Sequence, residues 1–316
     1  MRAAYLKALY EIAAKDKNVY ALISDNGAII YDQYRADFPE QYLNLGISEA
    51  NILGMAAGMA YRGKIPFAYT VGAFFAYRAF EFIRNDICLQ NQNVKIVGIG
   101  AGEVYSALGP THHATEDLGG LRSLQNLTII CPATPEETYK ATYAAYQHNG
   151  PVYLRLGANH LMSNINVALG MNEDKNGFQI GKAVELKSGK DITIFATGSI
   201  LKDILDIADI LEKDGISVRI INVHTLKPID TEIILKAIRE TGHIVTVEDH
   251  NVTGGLGSAV AEIIAESGIG VKFRRVGLTG FSCGYGTYAQ VKDANGLGRK
   301  QIEEAVKNIV EERRFL

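Results

Sequence analysis

The sequence predicts an α/β protein of two domains, each a largely parallel sheet covered by helices, and three observations lead there. Short apolar runs such as Val19–Ile23, Ile65–Val71 and Val94–Ile99 alternate with longer stretches of helical periodicity, which marks a parallel sheet covered on both faces. The alternation breaks into a polar, irregular stretch between Gly157 and Asp191 and then resumes. The length of 316 residues, at 47% hydrophobic content, suits two cores better than one. The expected division is a first domain at 1–165, a linker at 166–190 and a second domain at 191–316.

In chain order, Ala3, Leu6, Leu9, Ile12 and Ala13 give residues 2–15 a helical apolar face. Val19–Ile23 is a buried strand that ends at the polar turn Ser24-Asp25-Asn26-Gly27. Leu43–Gly46 is a second strand, a helix starts at Glu49, Ile65–Val71 is a third strand, and Ala73–Leu89 reads as one long helix. Val94–Ile99 and Leu127–Cys131 are strands, Pro135–Gln147 a helix and Val152–Arg155 a strand. A strand is expected at Gln179–Glu185 in the linker region. The second unit then runs strand Ile192–Thr197, helix Ile200–Asp214, strand Val218–Val223, helix Thr231–Thr241 and strand Ile244–Glu248. Helix Gly257–Ser267, strand Val271–Val276 and helix Arg299–Arg314 follow.

Composition narrows the function. The 32 basic and 35 acidic residues give a net charge of −3, and no basic run is interleaved with aromatics, so nucleic acid is not an expected partner. Cys88, Cys131 and Cys283 are odd in number and widely spaced, which supports neither a disulfide framework nor a zinc site. The first residues lack a signal-peptide pattern and no apolar run approaches a membrane span, so a reducing cytoplasm is the expected location.

Glu49 is the first residue to suggest chemistry. It opens a helix rich in Gly and Ala (Gly54, Ala56, Ala57, Gly58), with no cation near it in sequence. Buried beside a ligand, its carboxylate could exchange a proton near neutral pH; as a plain structural feature it would complement the helix dipole. Phe74, Tyr77 and Phe80 recur at i, i+3 and i+6, which reads as core or as the apolar wall of a site. What favours a site is position, because Asp25, Glu49 and this stripe all follow strands, at the edge where open α/β sheets bind ligands. The long loop after Ile99 carries His112 and His113, without the further ligands a metal would need; the pair suits hydrogen bonding to hydroxyls, or is a surface feature.

Gly46-Ile47-Ser48-Glu49, the Phe74/Tyr77/Phe80 spacing, Gly109-Pro110-Thr111-His112, Pro132-Ala133-Thr134-Pro135-Glu136 and Gly150-Pro151-Val152-Tyr153-Leu154-Arg155 stand in the order found in transketolases. This first half resembles the transketolase pyrimidine-binding domain. Ala196-Thr197-Gly198-Ser199, Asn222-Val223-His224-Thr225-Leu226-Lys227-Pro228 and Gly254-Gly255-Leu256-Gly257 likewise resemble the C-terminal domain of that superfamily. The resemblance covers nearly the whole chain and implies the thiamine-diphosphate-binding fold with thiamine diphosphate as cofactor. It implies that Glu49 hydrogen-bonds the aminopyrimidine ring and promotes the tautomer that generates the ylid. Phe74, Tyr77 and Phe80 would enclose the pyrimidine, and Asp25 would approach the cofactor. By the same resemblance His112, with His113 as a second candidate, would contact sugar hydroxyls, and Arg155 and Arg2 would hold the substrate's distal anion.

The family's diphosphate and metal element, a Gly-Asp-Gly followed further on by Asn, is not found in the sequence. The resemblance therefore implies a split transketolase, whose N-terminal partner subunit binds the diphosphate and Mg²⁺, with self-association through the first domain and a heterotetramer of two copies of each chain. Leu108 stands where the family has an acid and Gly100 where it has a histidine, which points to a modified sugar, sulfonated, dephosphorylated or nucleotide-linked. A 2-oxo acid dehydrogenase β subunit, a deoxyxylulose phosphate synthase-like enzyme and a non-catalytic interface subunit are the alternatives. Gly254-Gly255-Leu256-Gly257-Ser258 reads as a structural turn or as a phosphate cradle. His224, His250 and Cys283 read as bystanders.

Overall fold

The computed structural model describes residues 1–157 and 177–311. Strands β1 (Val19–Ile23), β2 (Tyr42–Asn44), β3 (Ile65–Val71), β4 (Lys95–Ile99), β5 (Thr128–Ile130) and β6 (Val152–Leu156) come from the first half. Strands β7 (Val184–Lys187), β8 (Ile192–Thr197), β9 (Val218–Asn222), β10 (Thr225–Lys227), β11 (His243–Asn251) and β12 (Lys272–Leu278) come from the second. One seven-stranded sheet has the order β10-β5-β6-β4-β3-β1-β2, and a five-stranded sheet the order β12-β11-β8-β9-β7. Both are parallel except for β10 and β7 at their edges. Helices cover them, and the central strands are apolar almost throughout, as burial on both faces demands.

Local chemistry sets the helices. Helix Pro135–Gln147 starts with Pro at its first position and Thr134 as N-cap, whose hydroxyl accepts from Glu137 N at 3.0 Å. The Glu137 carboxylate in turn accepts from Ala133 N at 2.6 Å. Helix Leu201–Lys213 buries Leu201, Ile204, Ile207, Ala208 and Leu211, the i, i+3, i+4 stripe visible in its sequence.

Four differences from the sequence reading bear on the site. The stretch read as one helix over 73–89 is two wide π-helical runs, Phe74–Arg78 and Ile83–Cys88, joined by Phe80–Phe82. The strand expected at Gln179–Glu185 lies at Val184–Lys187, inside the span read as linker; residues 166–176 of that span lie outside the described residues. Helix Asp117–Arg122 was not expected from a segment holding Gly119 and Gly120, and helix Tyr288–Ala294 went unread although Thr287 and Gln290 form a capping box there. Finally β10, a second-half strand, pairs with β5 of the first sheet, and one buried cluster runs from Leu22 and Ile52 to Ile221, Leu226 and Leu256. Among the described residues no helix is long and apolar enough to cross a membrane.

Candidate active site

β1 lies between β2 on one side and β3 on the other, so the order of connection reverses at its carboxyl end. Such a reversal leaves a crevice between the loops leaving the strands. A cavity of about 170 Å³ opens there, lined by Ser24 and Asp25 after β1, Ile47 and Glu49 after β2, and Thr70 and Phe74 from and after β3. Whole drug-sized ligands need pockets of about 300 Å³ or more, so this one has room for a single ring of a larger molecule.

Glu49 is 5% exposed, at the first turn of helix Glu49–Tyr61. Its carboxylate is not without a cation, as the sequence suggested: Arg78 Nη1 donates to both oxygens at 3.4 and 3.3 Å. The Arg78 guanidinium also stacks on the Phe74 ring, 4.0 Å from its centroid, and remains half exposed. Ser24 and Thr70 hydroxyls bond each other on the cavity floor. Asp25 has a φ of 60°, a left-handed conformation uncommon outside glycine, and Asn44 holds it: Asp25 N donates to Asn44 Oδ1 at 3.1 Å and Asn44 Nδ2 to Asp25 Oδ1 at 2.9 Å.

The π-helical run splits the aromatic stripe. Phe74 faces the cavity. Tyr77 turns to the neighbouring loop, its hydroxyl donating to Glu116 Oε2 at 2.8 Å and accepting from Glu116 N at 3.0 Å. Phe80 packs on the core beside Gly120, off the cavity wall, so its expected contact with a cofactor ring is corrected to a packing role. His112 reaches the rim, its ring edge-to-face with Phe74 at 5.1 Å and near Tyr105 at 6.4 Å, with Thr111 Oγ1 3.0 Å from its Nδ1. Arg2 lies at a second cavity of about 670 Å³ between helix Arg2–Ala13 and Tyr34, outside the Glu49 cavity.

Two residues expected to contact substrate make buried contacts within the chain. Arg155, 3% exposed, donates from Nε and Nη2 to Asp117 at 2.8 and 3.1 Å and from Nη2 to the Ala114 carbonyl at 2.7 Å. Its Nε and Nη2 are thus spent inside the protein, on Asp117 and on the Ala114 and Asp249 carbonyls. Burial alone would raise Asp117, but the Arg155 guanidinium holds its carboxyl below the ordinary value. His113, 2% exposed, turns away from its neighbour His112 and puts Nδ1 2.8 Å from Ser282 Oγ of the second domain.

The glycine-rich turn at 254–258 is no phosphate cradle. The Glu248 carboxylate already accepts from Leu256 N and Gly257 N at 2.7 and 2.8 Å, and a side chain on Gly255 would sit 1.9 Å from it. His224 and His250 are buried, with Nδ1 2.9 Å from Thr225 Oγ1 and 2.6 Å from the Asn251 carbonyl, and burial lowers each to about 4. The sequence reading missed Arg78, although a cation four residues after an aromatic on one helical run is a legible pairing signal.

With this geometry in place, comparison with known proteins decides the family. Residues 1–163 match the family model of the transketolase pyrimidine-binding domain, and residues 181–302 that of the transketolase C-terminal domain. The chain belongs to the transketolase family. It is 38% identical over 279 residues to a putative transketolase C-terminal section of Methanocaldococcus jannaschii, covering 88% of this chain and 86% of that one. Over 316 residues it is 34% identical to the 6-deoxy-6-sulfo-D-fructose transketolase subunit SqwH of a Clostridium species, covering 100% and 96%. A solved split-gene transketolase, an inactive β4 tetramer, matches with a TM-score of 0.85 at 36% identity, covering 98% of each chain. The chain is thus a transferase subunit of the split-transketolase type, and the family implies dependence on thiamine diphosphate. The Glu49 cavity fits part of that cofactor: a buried carboxylate beside an aromatic face, in a space of one ring, suits an aminopyrimidine.

Proposed function

We propose that this chain forms the pyrimidine side of a transketolase active site and moves a two-carbon glycolaldehyde unit between sugars only when joined to an N-terminal subunit that holds the diphosphate and Mg²⁺. The observation that carries this is Glu49, a carboxylate 5% exposed in a cavity that an aromatic ring shares. When bound, thiamine diphosphate supplies a nucleophilic carbon and an electron sink. Glu49 would hold a proton against the pyrimidine ring nitrogen, Phe74 would cover one face of that ring, and Tyr77 fixes the adjoining loop through Glu116. Asp25 stands at the mouth, held by Asn44. His112, at the rim, hydrogen-bonds the hydroxyls of the sugar, and Arg2 approaches its distal end. Two copies of each chain, associating through first domains in a reducing cytoplasm, complete the assembly.

The sugar is non-standard. Leu108 is half exposed on the His112 loop and offers no acid to a hydroxyl, and the space beside Gly100 is filled by the Tyr105 ring, 2.2 Å from where a side chain would begin. An acid that pairs with a substrate hydroxyl discriminates strongly against analogues lacking it, and the loss of such an acid relaxes that choice. The relative named for 6-deoxy-6-sulfo-D-fructose supports the same direction. The test is a ketol-transfer assay of the reconstituted pair with sulfofructose and with fructose 6-phosphate or xylulose 5-phosphate as donors. The expected result is faster turnover of the modified sugar, lost in Glu49→Ala; equal efficiency on the ordinary phosphates would refute the specificity.

A further inference from the structure

The loop that carries His112 is held from the second domain. Gly102 has a φ of 62° and lies so close to Asp249 that a side chain there would meet its carboxylate at 2.1 Å. Glu103 N donates to both Asp249 oxygens at 3.2 and 3.1 Å, and Tyr288 donates to Asp249 Oδ2 at 2.7 Å. The Glu103 carboxylate, fully buried, accepts from Asn295 Nδ2 at 2.8 Å and from the Ser282 hydroxyl, which also stands 2.8 Å from His113 Nδ1. Gly286 N donates to the Ser106 carbonyl at 3.3 Å, and the Tyr285 ring fills the space a side chain on Gly109 would need. Five positions of one irregular segment, Gly102, Glu103, Ser106, Gly109 and His113, therefore meet second-domain residues, and His112 sits among them.

We propose that the second domain is a positioning element of the active site, in which Ser282 and Asn295 act through Glu103 and His113 to fix the His112 loop at the cavity rim. This rests on the proposed function for the role of His112. Contacts between the two halves run along their whole interface, with β10 on β5, Arg122 donating to Glu262 and Asn222 donating to Glu137, and one group of them falls on the His112 loop. That group meets both ends of the segment bearing His112, and within it Ser282, Glu103, Asp249 and His113 are buried, where a hydrogen bond to a carboxylate holds geometry most firmly. Neither Ser282 nor Asn295 touches the cavity residues, so each acts at a distance.

Amide hydrogen exchange on the full chain alone, without cofactor or partner, tests the holding directly in Ser282→Ala and, independently, in Asn295→Ala. Loss of one such bond predicts exchange about tenfold faster within 104–113, with the sheet amides of both domains unchanged. In the reconstituted enzyme KM for the sugar should rise about tenfold with kcat changed less and thiamine diphosphate affinity unchanged. Unaltered exchange over 104–113, an increase spread evenly over both sheets, or a KM equal to wild type in both variants would overturn the proposal. The exchange readout needs no turnover, so it stands apart from the fate of the ketol-transfer reading.

Discussion

Arg155 and Arg35 both face an aspartate, and their surroundings give the two pairs different weight. Arg155 and Asp117 are buried on both sides, whereas the Arg35–Asp32 pair is more than half exposed on both. Arg155→Ala leaves a carboxylate uncompensated in the interior and should cost about 3–5 kcal/mol, against less than about 1 kcal/mol for Arg35→Ala, as measured by urea denaturation. Glu137 behaves in the opposite sense with pH. Burial pushes its carboxyl from an ordinary 4.5 up to about 7, although Ala133 N and Asn222 Nδ2 donate to it. A raised carboxyl binds its proton more tightly in the folded state. The stability it contributes is therefore full below about pH 4.5 and is lost as pH rises through 7. Glu137→Gln should flatten that slope in pH-dependent unfolding curves, and a slope equal to wild type would contradict the assignment. At this scale the sequence made Glu49, Phe74 and Asp25 legible, because each follows a strand by a few residues. It hid the partners of Arg155 and His113, since Asp117 and Ser282 lie 38 and 169 positions away and meet them only after folding.

At the scale of elements, the stretch after β3 shows what periodicity can and cannot reveal. Apolar spacing announced helical structure over 73–89, yet an i, i+3, i+6 stripe shares a face only while turns stay regular. The wide turns at Phe74–Arg78 rotate the three aromatics apart, so one lines the cavity, one bonds Glu116 and one packs on the core. Phe80→Ala should therefore cost about 2–4 kcal/mol in thermal or urea unfolding, with cofactor affinity in the assembled enzyme changed little. Phe74→Ala should do the reverse, weakening the cofactor while changing stability less. Calorimetry on both variants separates the roles, and equal effects on binding would restore the single-wall reading. The turn at 254–258 makes the same point: glycines before a helix suit an anion, but the anion here is Glu248 of the same chain, eight residues earlier than Leu256.

At the scale of the whole molecule, the two sheets are not independent. β10 adds a strand to the first sheet, Lys227 donates to the Arg122 carbonyl at 2.9 Å, and the largest buried cluster draws on both halves. The alternation of strands and helices made both sheets readable, but a three-residue strand crossing between domains leaves no periodic trace. A chain ending at residue 157 would expose the edge of β5 and part of that cluster, and should aggregate or unfold where the full chain melts in one transition; sedimentation and calorimetry on the truncated form would check this. That this chain holds only the pyrimidine half of a shared site is a proposal that calorimetric titration of thiamine diphosphate with Mg²⁺ can decide. Titrated into the chain alone, the cofactor should bind weakly. Titrated into the chain joined to its N-terminal counterpart, it should bind tightly, and Glu49→Ala should lose that gain. Equal binding with and without the counterpart, or tight binding that survives Glu49→Ala, would rule out a shared site built on Glu49.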